Sequence, residues 1–149
     1  MNLFADQTLV DEVKKDFNDW YAAGCPDGDP NVVAICKLLN NIPGVGSRFS
    51  CESHPPIKRQ FYVQLVVTSC GYQECMSLYG TVRSQLIDKF GTGSGVAGFK
   101  LQISTSMNFN DSWIPTVLFE HTLSVDTKDV FLGIMLETLT YMSEYRRLS

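Results

Sequence analysis

The sequence predicts an α+β domain: a four-stranded, mainly antiparallel sheet with helices on one face, in the order α-α-β-β-α-β-β-α. Four segments repeat their apolar residues at helical spacing, and four others alternate apolar with polar residues. The alternating segments fall in two adjacent pairs, each followed by a helical segment. Each pair therefore reads as antiparallel neighbours, and the middle helix as a crossover. With 149 residues and no linker-like stretch, a single domain spanning 1–149 is expected, able to bury about two thirds of the surface its unfolded chain exposes.

Leu9/Val10, Val13, Phe17 and Trp20/Tyr21 mark the first helix, with Asp6 as its N-cap and Gly24 as a left-handed stop. Cys25 to Pro30 is a run of turn formers. Asp29-Pro30 opens a second helix that buries Val32/Val33, Cys36 and Leu39 and runs to about Asn40. Asn41-Ile42-Pro43-Gly44 breaks it. From there alternation puts Val45, Ser47, Phe49 and Cys51 on one side of the first strand and Arg48, Ser50 and Glu52 on the other. Pro55-Pro56 cannot donate to a strand ladder, so a long connection leads to a second strand carrying Phe61, Val63, Leu65 and Val67, which Gly71 ends. Cys75, Leu78/Tyr79, Val82, Leu86 and Phe90 form the crossover helix, stopped by Gly91.

Four glycines between Gly91 and Gly98 predict a loop, with a flexible hinge or lid as its ordinary role. Phe99, Leu101 and Ile103 then face one way along the third strand, and Lys100, Gln102 and Ser104 the other. Thr116 to Val125 is the fourth strand, with Val117, Phe119, His121 and Leu123 sharing one side. Asp126-Thr127 caps a last helix that runs to Tyr145. Leu132, Leu136 and Tyr141 fall outside its main apolar stripe. That surplus predicts either a central place in the core or a homodimer through the C-terminal helix.

Composition narrows the function classes. A chain that is 44% hydrophobic and 19% charged is globular, and no apolar run approaches the ~20 residues that cross a bilayer, so no membrane is expected as a partner. A net charge of -4 gives no broad attraction to phosphate backbones, which sets nucleic acid aside as the main partner. Met1 to Asp6 lacks the basic region and apolar stretch of a secretory signal, so the expected location is the cytoplasm and the five cysteines are expected to be thiols.

Counting strand directions from the end of the first strand brings three distant features to one end: the Cys51–His54 loop, the Gly91–Gly98 loop and the N-terminus of the last helix. Cys51, Glu52 and His54 place a thiol, a carboxylate and an imidazole within four residues. Cys51 suits either a small buried core residue or a nucleophile whose thiolate His54 or Arg48 would favour. Glu52 is a candidate general acid or base if the loop curls inward. His121 has core parity and lies toward the same end, where it would assist. The glycine segment lacks the Lys-Ser/Thr ending of a phosphate-binding P-loop, yet amides at Gly93 and Gly95, with Arg48, Lys100 and Thr127, offer a cradle for an anion. Zinc held by Cys51, His54, Cys70 and Cys75 is set aside, since Cys70 sits ~30 Å down the second strand while ligands must lie within ~2.3 Å of the ion. No metal and no cofactor is expected.

Leu38-Leu39-Asn40-Asn41-Ile42-Pro43-Gly44-Val45, leading into Phe49-Ser50-Cys51-Glu52-Ser53-His54, resembles small unannotated proteins of phages and bacteria. They carry a helix ending in Leu-Asn-x-Leu/Ile-Pro-Gly-Ile/Val, a short strand, and then Ser-Cys-x-Gly-His. The similarity spans roughly residues 31 to 67, with Ser53 where those proteins have glycine. It implies a phage or mobile-element origin, hence a host cytoplasm, and a paired Cys51 and His54, without implying a reaction.

Together these readings lead to a small binding or regulatory domain, with an anionic small ligand or a host protein as its partner at the Cys51–His54 loop. The rival is a hydrolase or transferase using Cys51 and His54, with Glu52 or His121 assisting, on a phosphorylated or nucleotide-like substrate. Whether the chain is an enzyme is left open by the residues alone.

Overall fold

The computed structural model describes residues 3–26, 30–51, 60–107, 113–122 and 125–148. They form α1 (Gln7–Ala22), α2 (Pro30–Asn40), β1 (Val45–Cys51), β2 (Gln60–Val67), α3 (Ser69–Phe90), α4 (Ser94–Ala97), β3 (Lys100–Met107), β4 (Trp113–Thr122) and α5 (Val125–Leu148). The strands make one sheet in the order β1-β2-β4-β3, and every neighbouring pair is antiparallel. The α+β class and the order of elements are those predicted, with α4 added as a single turn inside the glycine-rich segment.

Alternation decides which side of each strand is buried. Val63 and Leu65 of β2 and Val117 and Phe119 of β4 pack with Leu78, Val82 and Leu86 of α3 and with Phe131, Met135 and Leu139 of α5. α2 completes this core with Val32, Ile35, Cys36 and Leu39. Because α5 touches both α2 and α3, it buries a wider arc than one apolar stripe, and Leu132 is buried with the rest. Leu136, Tyr141 and Tyr145 remain exposed on its outer side.

α1 is placed differently. Gly46 and Val66 are register partners of the parity opposite to the core pair Val45 and Val67, and on that opposite face Val10 clusters with Val66 and Ile114. α1 lies so close to β1 that a Cβ on Gly46 would stand 2.9 Å from Val13 Cγ1. Its C-terminal half passes the β1 edge, where Phe17 joins the main core.

The crossing is fastened by Asn40, 2% exposed at the end of α2. Its Oδ1 accepts from Ser47 N at 3.0 Å, its Nδ2 donates to Asn18 Oδ1 at 3.2 Å, and Lys14 Nζ donates to the Asn40 and Ile42 carbonyls at 2.9 and 2.8 Å. Asn40→Ala would leave the buried Ser47 amide without its acceptor. The expected cost is about 2 kcal/mol in urea denaturation, the penalty of an unsatisfied buried donor; a loss under about 0.5 kcal/mol would show that the crossing does not depend on this side chain.

Several boundaries differ from the periodic reading, each for a physical reason. β2 stops at Val67 rather than at Gly71. Thr68 caps α3, its hydroxyl accepting from Gly71 N at 3.1 Å, so Gly71 lies in the first helical turn. β4 starts at Trp113 and includes Pro115, which lies beyond the last β2 pair, Leu65 with Val117, where β4 is paired with β3 alone. α5 begins at Val125, placing Asp126 and Thr127 inside its first turn instead of before it. In β1 the register shifts between Ser47, opposite Leu65, and Phe49, opposite Gln64. This bulge at Arg48 ends the alternation that grouped Cys51 with Val45 and Ser47, and Cys51 sits opposite Tyr62.

Candidate functional site

Four register positions line up across the end of the sheet where β1 finishes: Cys51 opposite Tyr62, Tyr62 opposite Glu120, and Glu120 opposite Lys100. With strands spaced ~4.8 Å apart the row is about 14 Å wide. The same end holds the C-terminus of α3, the α4 turn and the first turn of α5, so the end of β1, the glycine segment and the start of the last helix meet there, while the Cys51–His54 loop beyond Cys51 lies outside the described residues. Glu52 and His54 lie outside the described residues, as do Pro55 and Pro56. Cys51 is described as a strand position only.

On the face carrying this row, Tyr62 and Glu120 are half-buried and Lys100 is exposed. Gln102 Nε2 donates to Glu120 Oε1 at 2.7 Å, bridging β3 and β4. Arg48, at the bulge, is half-buried, and loss of water around its guanidinium lowers its pKa from the ordinary value. Gln64 shares parity with Tyr62, and Thr116 shares parity with Glu120. Gln64 Oε1 and Thr116 Oγ1 are buried without a hydrogen-bond partner among the described residues. Thr116 was not singled out in the sequence, although its alternation with Val117 marks its face.

His121 is 1% exposed and belongs to an aromatic cluster. Its ring meets Phe131 edge-on at 4.8 Å between centroids and lies 5.7 Å from Phe99. Any assistance from His121 would have to act from inside this cluster, behind the sheet from Lys100.

The glycine segment is an anchored turn, not an open lid. Gly91, at φ +71, closes α3 by donating to the Ile87 carbonyl at 2.8 Å. The Gly93 carbonyl accepts from Val96 N at 3.2 Å and Ala97 N at 3.0 Å, and Gly95 lies within the resulting α4 turn. Val96 and Phe99 are buried on either side of Gly98, and Tyr79 Oη donates to the Phe99 carbonyl at 2.9 Å. Two apolar side chains thus pin a segment whose composition alone reads as loop.

Cys25, Cys36, Cys70 and Cys75 are thiols, not disulfides. Cys70 is exposed in the first turn of α3, while Cys75 is buried one turn further. Among the described residues no group of three or more His, Cys, Asp or Glu side chains is placed to hold a metal ion. Burial pushes the Cys75 thiol from 9.0 up to about 12, with Glu74 adding to the shift.

Because the folded state keeps this proton where the unfolded chain has lost it, its stabilisation is complete below pH 9 and is lost as pH rises toward 12. The slope is about 1.4 kcal/mol per pH unit. Urea midpoints of the wild type and Cys75→Ala are therefore expected to converge between pH 9 and pH 11. Parallel curves would show that the thiol does not titrate in this way.

No helix among the described residues is long and apolar enough to cross a membrane. No protein-family model matches the chain, and no curated protein or solved structure matches it.

Proposed function

We propose that this chain is a small binding or regulatory domain that takes an anionic small ligand at the Cys51–Tyr62–Glu120–Lys100 end of its sheet. The reading is supported above all by the coincidence of that register row with the α4 turn and the first turn of α5. Lys100 offers an exposed ammonium there, and α5 begins at the same end, so the positive end of its dipole lies near it. In a chain of net charge -4, anion recognition depends on such a local arrangement and not on the overall field. The phage-like Pro-Gly to Ser-Cys segment supports a mobile-element origin, and with it a host protein as the alternative occupant.

Thermal unfolding in the presence of inorganic phosphate, pyrophosphate and nucleotides tests this. At least one is expected to raise the midpoint, by about 2.7 kcal/mol of stability at a hundred times its Kd, and Lys100→Glu is expected to abolish the gain. A flat response to every anion sinks the small-ligand reading. The Cys51/His54 hydrolase or transferase reading rests on thiol reactivity. Exposed Cys70 and buried Cys36 and Cys75 are internal references, and a Cys51 that alkylates no faster than the buried pair at neutral pH removes the nucleophile.

A further inference from the structure

The two edges of the sheet are treated unequally. β1 is crossed by α1, interrupted by the bulge at Arg48 and tied to α2 through Asn40. β3, the other edge, has none of these protections among the described residues. Its register with β4 runs unbroken from Lys100 to Met107, and it contains no proline. Lys100 is its one charged residue, at the strand's first position. Among the described residues, no backbone hydrogen bond from another segment reaches its outer side.

Gln102, Ser104 and Thr105 are exposed. So is Ile103, at 41%, although it sits opposite Val117 on the core side. The helical layer therefore stops short of the middle of β3. A neutral run of seven residues, Leu101 to Met107, whose outer side no other described segment pairs, is a template for strand pairing, and natural sheets ordinarily blunt such an edge with charge, proline or a bulge.

We infer that β3 pairs antiparallel with β3 of a second copy of this chain, about a two-fold axis through Ile103, giving a continuous eight-stranded sheet. The edge is self-complementary about that point. Ile103 meets Ile103 of the other copy on the side where the helices leave it uncovered, Gln102 lies opposite Ser104, Leu101 opposite Thr105, and Lys100 opposite Ser106. No like charges face each other, and each copy supplies the apolar cover the other lacks. A closed isologous pair also removes the exposed edge from both molecules without leaving a new one. The axis runs normal to the sheet, so the two Lys100 ends lie on one face and point in opposite directions. This pairing is independent of the ligand reading above.

The test is the solution mass of the full chain by light scattering and sedimentation. Twice 16.7 kDa is expected for the wild type. Ile103→Lys and Ile103→Glu, each placing like charges together at the axis, are expected to weaken the dimer by about tenfold or more. Because Ile103 is partly exposed, both variants should keep wild-type circular dichroism. Mixing the two is expected to restore a dimer containing one copy of each, a result that misfolding of either variant cannot produce. A strictly monomeric wild type at every accessible concentration overturns the inference. So does a dimer that survives both Ile103 variants but dissociates with Tyr141→Glu, which would place the contact on the outer side of α5.

Discussion

Gly71→Ala is expected to cost about 4 kcal/mol or more, enough to leave little folded protein at 37 °C. The first turn of α3 packs against the turn between α2 and β1 with Gly71 directly on the Gly44 backbone. A Cβ on Gly71 would meet the Gly44 carbonyl oxygen at less than contact distance and its carbonyl carbon at 2.6 Å. Gly44 cannot retreat, because its carbonyl accepts from Thr68 N at 2.9 Å and its φ of +78 already requires glycine. The obstruction is backbone against backbone, so no rotamer change relieves it.

Gly80, in the same helix, is the control. Nothing lies within 4 Å of its Cβ position, so Gly80→Ala should stabilise the protein by about 0.5–1 kcal/mol through helix propensity and a less flexible unfolded chain. Urea midpoints moving in opposite directions for the two variants would support the contact. Equal and small shifts would dismiss it.

Phe131→Ala is expected to cost about 3–5 kcal/mol, the range for emptying a fully buried aromatic site. Phe131 is 0% exposed, with ring centroids of Phe61 at 5.1 Å, Phe99 at 5.2 Å and His121 at 4.8 Å. It therefore joins α5 to β2, to β4 and to the residue that pins the glycine segment. Phe131→Leu keeps most of the volume and should cost under about 1.5 kcal/mol. Because Phe99 loses one of its supports in the alanine variant, the rise in melting temperature that the proposed anion binding calls for should shrink along with stability, while the leucine variant keeps most of it. An alanine variant within about 1 kcal/mol of wild type would mean that the cluster collapses around the gap and is not a keystone of this end of the sheet.

These two sites also show what periodicity reveals and what it hides. Phe131 was legible, since it lies on the apolar stripe of the last helix. Gly71 was misread as the end of a strand, because glycine punctuates both strands and helices, and the reason for this one is a neighbour 27 positions away in the chain. His121 was placed on the core side by alternation, but its packing between Phe99 and Phe131 depends on how α4 and α5 close over the sheet. The bulge at Arg48 left no mark either: with Gly46, Ser47 and Ser50 all small, the two registers of β1 read alike along the chain.

The order of elements, the α+β class and the meeting of the β1 end, the glycine segment and the last helix were determined by the sequence itself, because hydrophobic period and chain reversal are local properties that count out along the chain. The tertiary structure alone decided that β2 lies beside β4, that α1 guards the β1 edge while no other described segment pairs with the outer side of β3, and that Cys51, Tyr62, Glu120 and Lys100 form one row. Those relations join residues far apart in the chain. They are set by which faces bury each other, a choice made by the whole core at once and by no single segment.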